Sequence, residues 1–113
     1  DSINVDTNIL LEVVENIFSN AVIYAETEVI IEIQNINDKY LKVMVSDDGR
    51  GFYENDIVNA CKLYYHDVPD DNREHYGMGL YICKILCEKH GGEIALSNGN
   101  TGGACVQVTF NVE

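Results

Sequence analysis

The sequence predicts an α/β fold of two layers, a mixed, mainly antiparallel sheet packed on three helices. Helical patterning marks residues 7–25 and 79–90, with a shorter helix over 56–63. Two pairs of strand-like runs, 28–36 with 40–46 and 93–98 with 105–112, are each joined by a short turn. The resulting order, α-β-β-α-loop-α-β-β, suits an antiparallel-dominated sheet rather than a doubly wound one.

Each element has its own signal. In the first helix Ile9, Leu10, Val13, Val14, Ile17 and Ala21 recur at helical spacing, and Asp6 or Thr7 can cap its N-terminus. The turn Asn37-Asp38-Lys39 makes the first strand pair a hairpin. Residues 64–78 are polar, hold the sole proline, Pro69, and the run Asp70-Asp71-Asn72, and read as a mobile loop. Gly79 to His90 is amphipathic and is stopped by Gly91-Gly92. The last two strands are joined through the Gly99–Gly103 turn.

At 113 residues and 46% apolar content, the chain suits one domain with a real core. It begins without Met and runs almost at once into a helix, so residues 1–113 read as one domain excised from a longer chain. Seven basic against nineteen acidic residues give a net charge of −12, which argues against nucleic acid or an anionic lipid surface as partner. A polyanionic ligand would need a divalent metal and a few local cations to offset that field. No apolar run approaches the length of a membrane span. Cys61, Cys83, Cys87 and Cys105 lack the spacing of a disulfide framework and read as reduced cytosolic thiols.

Two glycine clusters carry the chemistry. Asp47-Asp48-Gly49-Arg50-Gly51 follows a strand, and Tyr76-Gly77-Met78-Gly79-Leu80-Tyr81-Ile82 opens into a helix. Glycine lets backbone approach a ligand closely, and free N–H groups at a helix start suit phosphate. The acid ahead of the first cluster can accept from a ligand amine. On the first helix Asn16, Asn20 and Tyr24 are spaced by four and fan over one face. By themselves these residues fit a solvent-facing polar stripe as well as a site. With the glycine clusters they point to a nucleotide, because an Asn carbonyl is a hard ligand of the kind Mg²⁺ accepts.

Asn16-Ile17-Phe18-Ser19-Asn20-Ala21, Asp47-x-Gly49-x-Gly51, Gly77-x-Gly79-Leu80 and Gly102-Gly103 stand in the order of the asparagine and glycine boxes of sensor histidine kinases. From Val5-Asp6 to Val112 the chain resembles their catalytic and ATP-binding domain, part of the gyrase, heat-shock-ATPase, histidine-kinase and mismatch-repair superfamily with its Bergerat ATP-binding fold. The resemblance implies ATP and Mg²⁺ as cofactors. It implies that Asp47 accepts from the adenine amino group, with Gly49 and Gly51 shaping the pocket and Tyr24 packing on the base. Asn20 would coordinate Mg²⁺, and Asn16 would lie beside it near the phosphates, these two being the catalytic pair. Gly77, Gly79 and Leu80 would carry the backbone around the phosphates at the mouth of the last helix. Residues 64–78 would form the ATP lid, with Tyr64-Tyr65 at its aromatic positions. Arg73 is its candidate phosphate partner, a solvated arginine fitting equally well.

The chain departs from the family pattern in places. Ile23 stands where a basic residue is usual, so Arg73 or Lys62 would have to compensate, and His66 stands where arginine is common. Asn16 occupies the position at which hydrolytic superfamily members carry a glutamate base. Glu12 and Glu15 are out of register for that role, so hydrolysis should be slow. The kinase role needs no such base, because the γ-phosphoryl passes to a histidine on a separate dimerisation domain. The resemblance therefore implies three protein-level expectations: that phosphoacceptor domain and a response regulator as partners, a monomeric isolated domain, and a cytoplasmic location. His66, His75 and His90 read as exposed or capping residues rather than acceptors. Cys83 and Cys87 with His90 read as core and helix-end residues rather than a zinc site. A serine kinase of the anti-sigma type, which shares the fold, and a nucleotide-binding module without transfer remain open alternatives.

Overall fold

The structure, a computed structural model, describes residues 6–54, 57, 61, 74–100 and 102–112, with side chains from 74 to 79 excluded. Helix α1 spans Thr7–Tyr24, and Asp6 is its cap, accepting from the N–H groups of Asn8 at 2.9 Å and Ile9 at 3.4 Å. Such a cap is worth about 1 kcal/mol. Val13, Ile17 and Ala21 form the buried stripe that the spacing predicts. The helix ends where Ala25 turns extended, its N–H donating to the Ala21 carbonyl at 2.8 Å.

Strands β1 (Val29–Ile36) and β2 (Tyr40–Asp47) form the predicted hairpin. Asn37 and Asp38 hold φ of 56° and 58°, a conformation that short-side-chain Asx residues tolerate. The Lys39 N–H closes the turn on the Ile36 carbonyl at 3.0 Å. After α2 (Glu74–Lys89), β3 (Glu93–Asn98) and β4 (Ala104–Asn111) complete a four-stranded sheet of order β1-β2-β4-β3. The pairings β1–β2, β2–β4 and β3–β4 are all antiparallel.

Alternation along β2 and β4 sends Leu41, Val43, Val45, Val106, Val108 and Phe110 to one face. There they meet Val13 and Ile17 of α1 and Leu80, Cys83 and Cys87 of α2 in a single core. The helix layer covers the middle of the sheet and leaves β1 outside. Ile31 and Ile33 pair with Val45 and Val43 and share their face, yet Ile33 is 66% exposed. The opposite face of the sheet carries Lys42, Met44, Ser46 and Gln107, none of them fully buried.

One expectation needs amendment. The last helix begins at Glu74, not Gly79, so Gly77 and Gly79 lie within helical backbone rather than ahead of it. Each glycine costs a helix about 1 kcal/mol relative to alanine. Burial of Leu80, Cys83 and Cys87 outweighs that propensity. Of the helix expected over 56–63, the described residues retain one helical step, Ile57 N–H to the Tyr53 carbonyl at 3.2 Å. The remainder of that helix and the loop expected up to residue 73 lie outside the described residues.

Candidate functional site

The C-terminal half of α1, the end of β2 and the loop that follows it converge at one edge of the sandwich. Asn20 faces inward from α1 and is 6% exposed. Its Oδ1 is buried without a hydrogen-bond partner. A buried acceptor left unpaired costs about 1–3 kcal/mol, so an orphan of this kind asks for a use. The soft Cβ–Cγ torsion of asparagine lets that oxygen swing toward a ligand. One turn earlier Asn16 is half-buried and donates from Nδ2 to the Glu12 carbonyl at 2.9 Å, which leaves its own carbonyl as an acceptor. One turn later Tyr24 is half-buried at the helix end.

Asp47 ends β2. Its Oδ1 accepts from the N–H groups of Gly49 at 2.8 Å and Ala104 at 3.3 Å. Both bonds fall on Oδ1, so Oδ2 carries neither. The backbone is drawn tight around this carboxylate. A Cβ on Gly49 would stand 1.9 Å from the Tyr24 carbonyl oxygen, so only glycine lets the loop press against the end of α1. Gly51, at φ 81°, sits where a Cβ would stand 2.2 Å from the Gly102 carbonyl oxygen. Behind it Asn98 clamps Phe52, accepting from its N–H at 2.7 Å and donating to its carbonyl at 3.0 Å. Tyr24 at the end of α1, the Asp47 loop and the Gly102-Gly103 turn are thus brought together.

Arg50 tops this loop. Its guanidinium lies 5.1 Å from the Tyr24 ring centroid and 4.2 Å from that of Tyr53, and Nη1 donates to the Gly51 carbonyl at 2.9 Å. It places positive charge beside the site of a strongly acidic chain, where a nucleotide would need it.

Asp48 is a residue that the sequence reading passed over. Its Oδ1 accepts from the N–H groups of Glu26 at 2.9 Å, Thr27 at 3.0 Å and Glu28 at 3.2 Å. Its Oδ2 accepts from the Thr27 N–H at 3.2 Å and from the Thr27 hydroxyl. The Thr27 hydroxyl, followed by these backbone donors, holds the Asp48 carboxyl well below the usual carboxylate range. The only local hint was an acid beside glycines, and Thr27 lies too far away in sequence for spacing to reveal the pair.

Other expected residues divide. Leu80 is 1% exposed and its side chain belongs to the core, which leaves its backbone for the phosphate role expected of it. Gly77 and Gly79 are placed as α2 backbone. Arg73, Lys62, His66 and the Tyr64-Tyr65 pair lie outside the described residues, as do the side chain of His75 and most of the expected lid. Cys83 and Cys87 are buried free thiols, as expected of core residues. Desolvation pushes both upward, Cys87 to about 12, which keeps them protonated. Among the described residues no group of three or more His, Cys, Asp or Glu could hold a metal ion. A metal here would rest on the Asn20 carbonyl together with phosphate and water oxygens, a donor set that fits Mg²⁺. A cavity of about 190 Å³ touches the Asp47-Asp48 corner beside Glu28, Ile30 and Ser46. Two others, of about 340 and 330 Å³, involve none of the motif residues.

The family model for histidine kinase-, DNA gyrase B- and HSP90-like ATPases matches residues 5–113. The chain belongs to this family. It is a catalytic, ATP-binding domain of the histidine-kinase type. It is 38% identical over 91 residues to the nisin biosynthesis sensor protein NisK of Lactococcus lactis, covering 79% of this chain and 20% of that protein. It is 34% identical over 106 residues to the sensor histidine kinase SpaK of Bacillus subtilis, covering 92% of this chain and 23% of that one. The chain thus spans less than a quarter of either relative. In fold it resembles the mycobacterial sensor histidine kinase MprB, with a TM-score of 0.82 over 96% of this chain and 76% of that chain at 18% identity. It also resembles full-length ShkA, solved in complex with AMPPNP, with a TM-score of 0.80 over 98% of this chain and 23% of that one at 21% identity.

Proposed function

We propose that this domain binds ATP as its Mg²⁺ complex and donates the γ-phosphoryl group to a histidine on a separate dimerisation domain of a cytoplasmic two-component kinase. A response regulator would be the onward partner. The observation that carries the reading is the buried, unpartnered Asn20 Oδ1, one helical turn after Asn16 and on the helix whose end meets the Asp47 loop.

The division of labour follows from the donor types. Asp47 has an oxygen beyond the Gly49 and Ala104 bonds with which to accept from the exocyclic amine of adenine. Guanine presents a carbonyl at that place and is repelled. Tyr24 offers ring area to the base, and Arg50 offsets local negative charge. Asn20 and Asn16 supply carbonyl oxygens on the phosphate side, and Gly77 and Gly79 keep that side free of side chains. Bound Mg²⁺ supplies charge neutralisation across the phosphate oxygens. Asn16 cannot take a proton from water, so the site orients ATP without activating a hydrolytic nucleophile. Transfer then depends on delivery of a histidine in line with the γ-phosphorus.

The test uses γ-labelled ATP, the domain and a separately produced dimerisation domain of the parent kinase. Label should appear on the dimerisation domain as an acid-labile, base-stable phosphohistidine, with the catalytic domain unlabelled and little phosphate released. Stable label on His66, His75 or His90, or rapid release of phosphate, would overturn the reading.

A further inference from the structure

Asp48 accepts five hydrogen bonds, yet none of the ligand roles needs it. All of its partners lie in residues 26–28, the turn that joins α1 to β1. The neighbouring loop is packed against the end of α1 just before that turn, with Gly49 directly against the Tyr24 carbonyl. Gly49 in turn supplies the N–H that orients Asp47 Oδ1 at 2.8 Å. The connections therefore run in series, from the turn through Asp48 to Gly49 and on to the Asp47 carboxylate.

We propose that Asp48 is a positioning residue for base recognition: by latching the 26–28 turn through Thr27, it fixes the rotamer of Asp47 and so sets selectivity for adenine over guanine. This rests on the nucleotide reading of the site. The mechanism is geometric. Without the latch, the 48–50 loop lifts from the end of α1 and Gly49 N–H leaves Asp47 Oδ1. The carboxylate then turns away from the place where its charge rejects a guanine carbonyl. The core holds α1 independently through Val13, Ile17 and Ala21, so the phosphate side keeps its Asn20 contact. The variants should therefore lose affinity for ATP more than for GTP.

The substitutions predict graded effects. Asp48→Ala removes every latch bond. Thr27→Val removes the hydroxyl bond alone. Asp48→Asn keeps the three backbone bonds on Oδ1, and its Nδ2 can donate to the Thr27 hydroxyl, so it should rescue the function. Mg-ATP and Mg-GTP are titrated calorimetrically into wild type and the three variants, at a temperature where circular dichroism shows each folded. The ratio of the two affinities should fall by about tenfold or more in Asp48→Ala, by several-fold in Thr27→Val, and hardly at all in Asp48→Asn. A purely structural role would lower melting temperatures and leave the ratio in place, and that result overturns the proposal. If Asp48→Ala does not fold, an unchanged ratio in Thr27→Val or a collapsed one in Asp48→Asn has the same force. Failure of wild type to bind Mg-ATP at all overturns the underlying nucleotide reading, and this proposal with it.

Discussion

Asn20 should be worth more to the ligand than to the fold. Replacing it with leucine keeps the branch at Cγ and removes the buried oxygen that has no partner. An unsatisfied buried acceptor costs about 1–3 kcal/mol, and leucine is the better helix former by a few tenths of a kcal/mol. Against this stands crowding, since the residue is 6% exposed and abuts the core through Ala21. Overpacking of that kind costs about 1 kcal/mol at its mild end. The net expectation is a gain of about 1 kcal/mol, or roughly 4 °C in the melting temperature of a domain this size. The nucleotide effect has the opposite sign. Wild type in Mg-ATP at about a hundred times its Kd gains about 2.7 kcal/mol, visible as a large upward shift in melting temperature. Asn20→Leu lacks the metal ligand and should show almost none of that shift. Thermal unfolding of both proteins, with and without Mg-ATP, reads both quantities. A variant that melts below ligand-free wild type and keeps the Mg-ATP shift would refute the assignment of Asn20 and the reasoning about its orphaned oxygen.

Asp47→Ala should abolish measurable adenine-nucleotide binding in calorimetry, and GTP should compete poorly against ATP for wild type. Ile23 is 43% exposed in the last turn of α1, which carries no basic residue, so Ile23→Lys meets no packing penalty and complements the helix dipole. If residue 23 faces the phosphates, Lys should strengthen ATP binding by several-fold and adenosine binding hardly at all. An unchanged ATP-to-adenosine ratio would show that it faces elsewhere. Acid should find Asp48 early among the causes of destabilisation. Its folded carboxyl titrates well below the ordinary value of about 3.9, so its stabilising effect is full above that pH and is lost as pH falls further. Stability of Asp48→Asn should depend less steeply on pH below about 4, measured by denaturant midpoints across that range.

Much of the fold could be read directly because local signals agreed with one another. The Asp6 cap, the stripe Val13-Ile17-Ala21 and the Asn37-Asp38 turn each have a short-range cause, and the strands fall within a residue of expectation. Asn20 was legible as a polar residue in an apolar helix, and Asp47 as an acid before glycines. Where reading failed, the cause lay across long sequence separations. Asp48 meets Thr27 and Asn98 meets Phe52 only because the sheet brings them together. Gly77 and Gly79 looked like a boundary because propensity was judged without the packing of Leu80 and Cys83. Coverage of β1 had no local signal: the helices sit over β2 and β4 and leave Ile31 and Ile33 exposed, while Ile30 and Ile36 are exposed on the opposite face.

That uncovered strand has a bearing on how copies of the domain tolerate one another. Among the described residues β1 pairs with β2 alone, so its other edge offers isoleucine side chains and backbone groups to any passing strand. Shape does little to deter such pairing, for the strand runs unbroken from Val29 to Ile36. Electrostatic repulsion does the deterring, through a net charge of −12 spread over 113 residues. Repulsion of this kind reaches about 10 Å at 0.1 M salt and about 3 Å at 1 M. Dispersal of the isolated domain is therefore a property of its solvent as much as of its sequence, and concentrated salt should turn a well-behaved solution turbid long before the fold itself gives way.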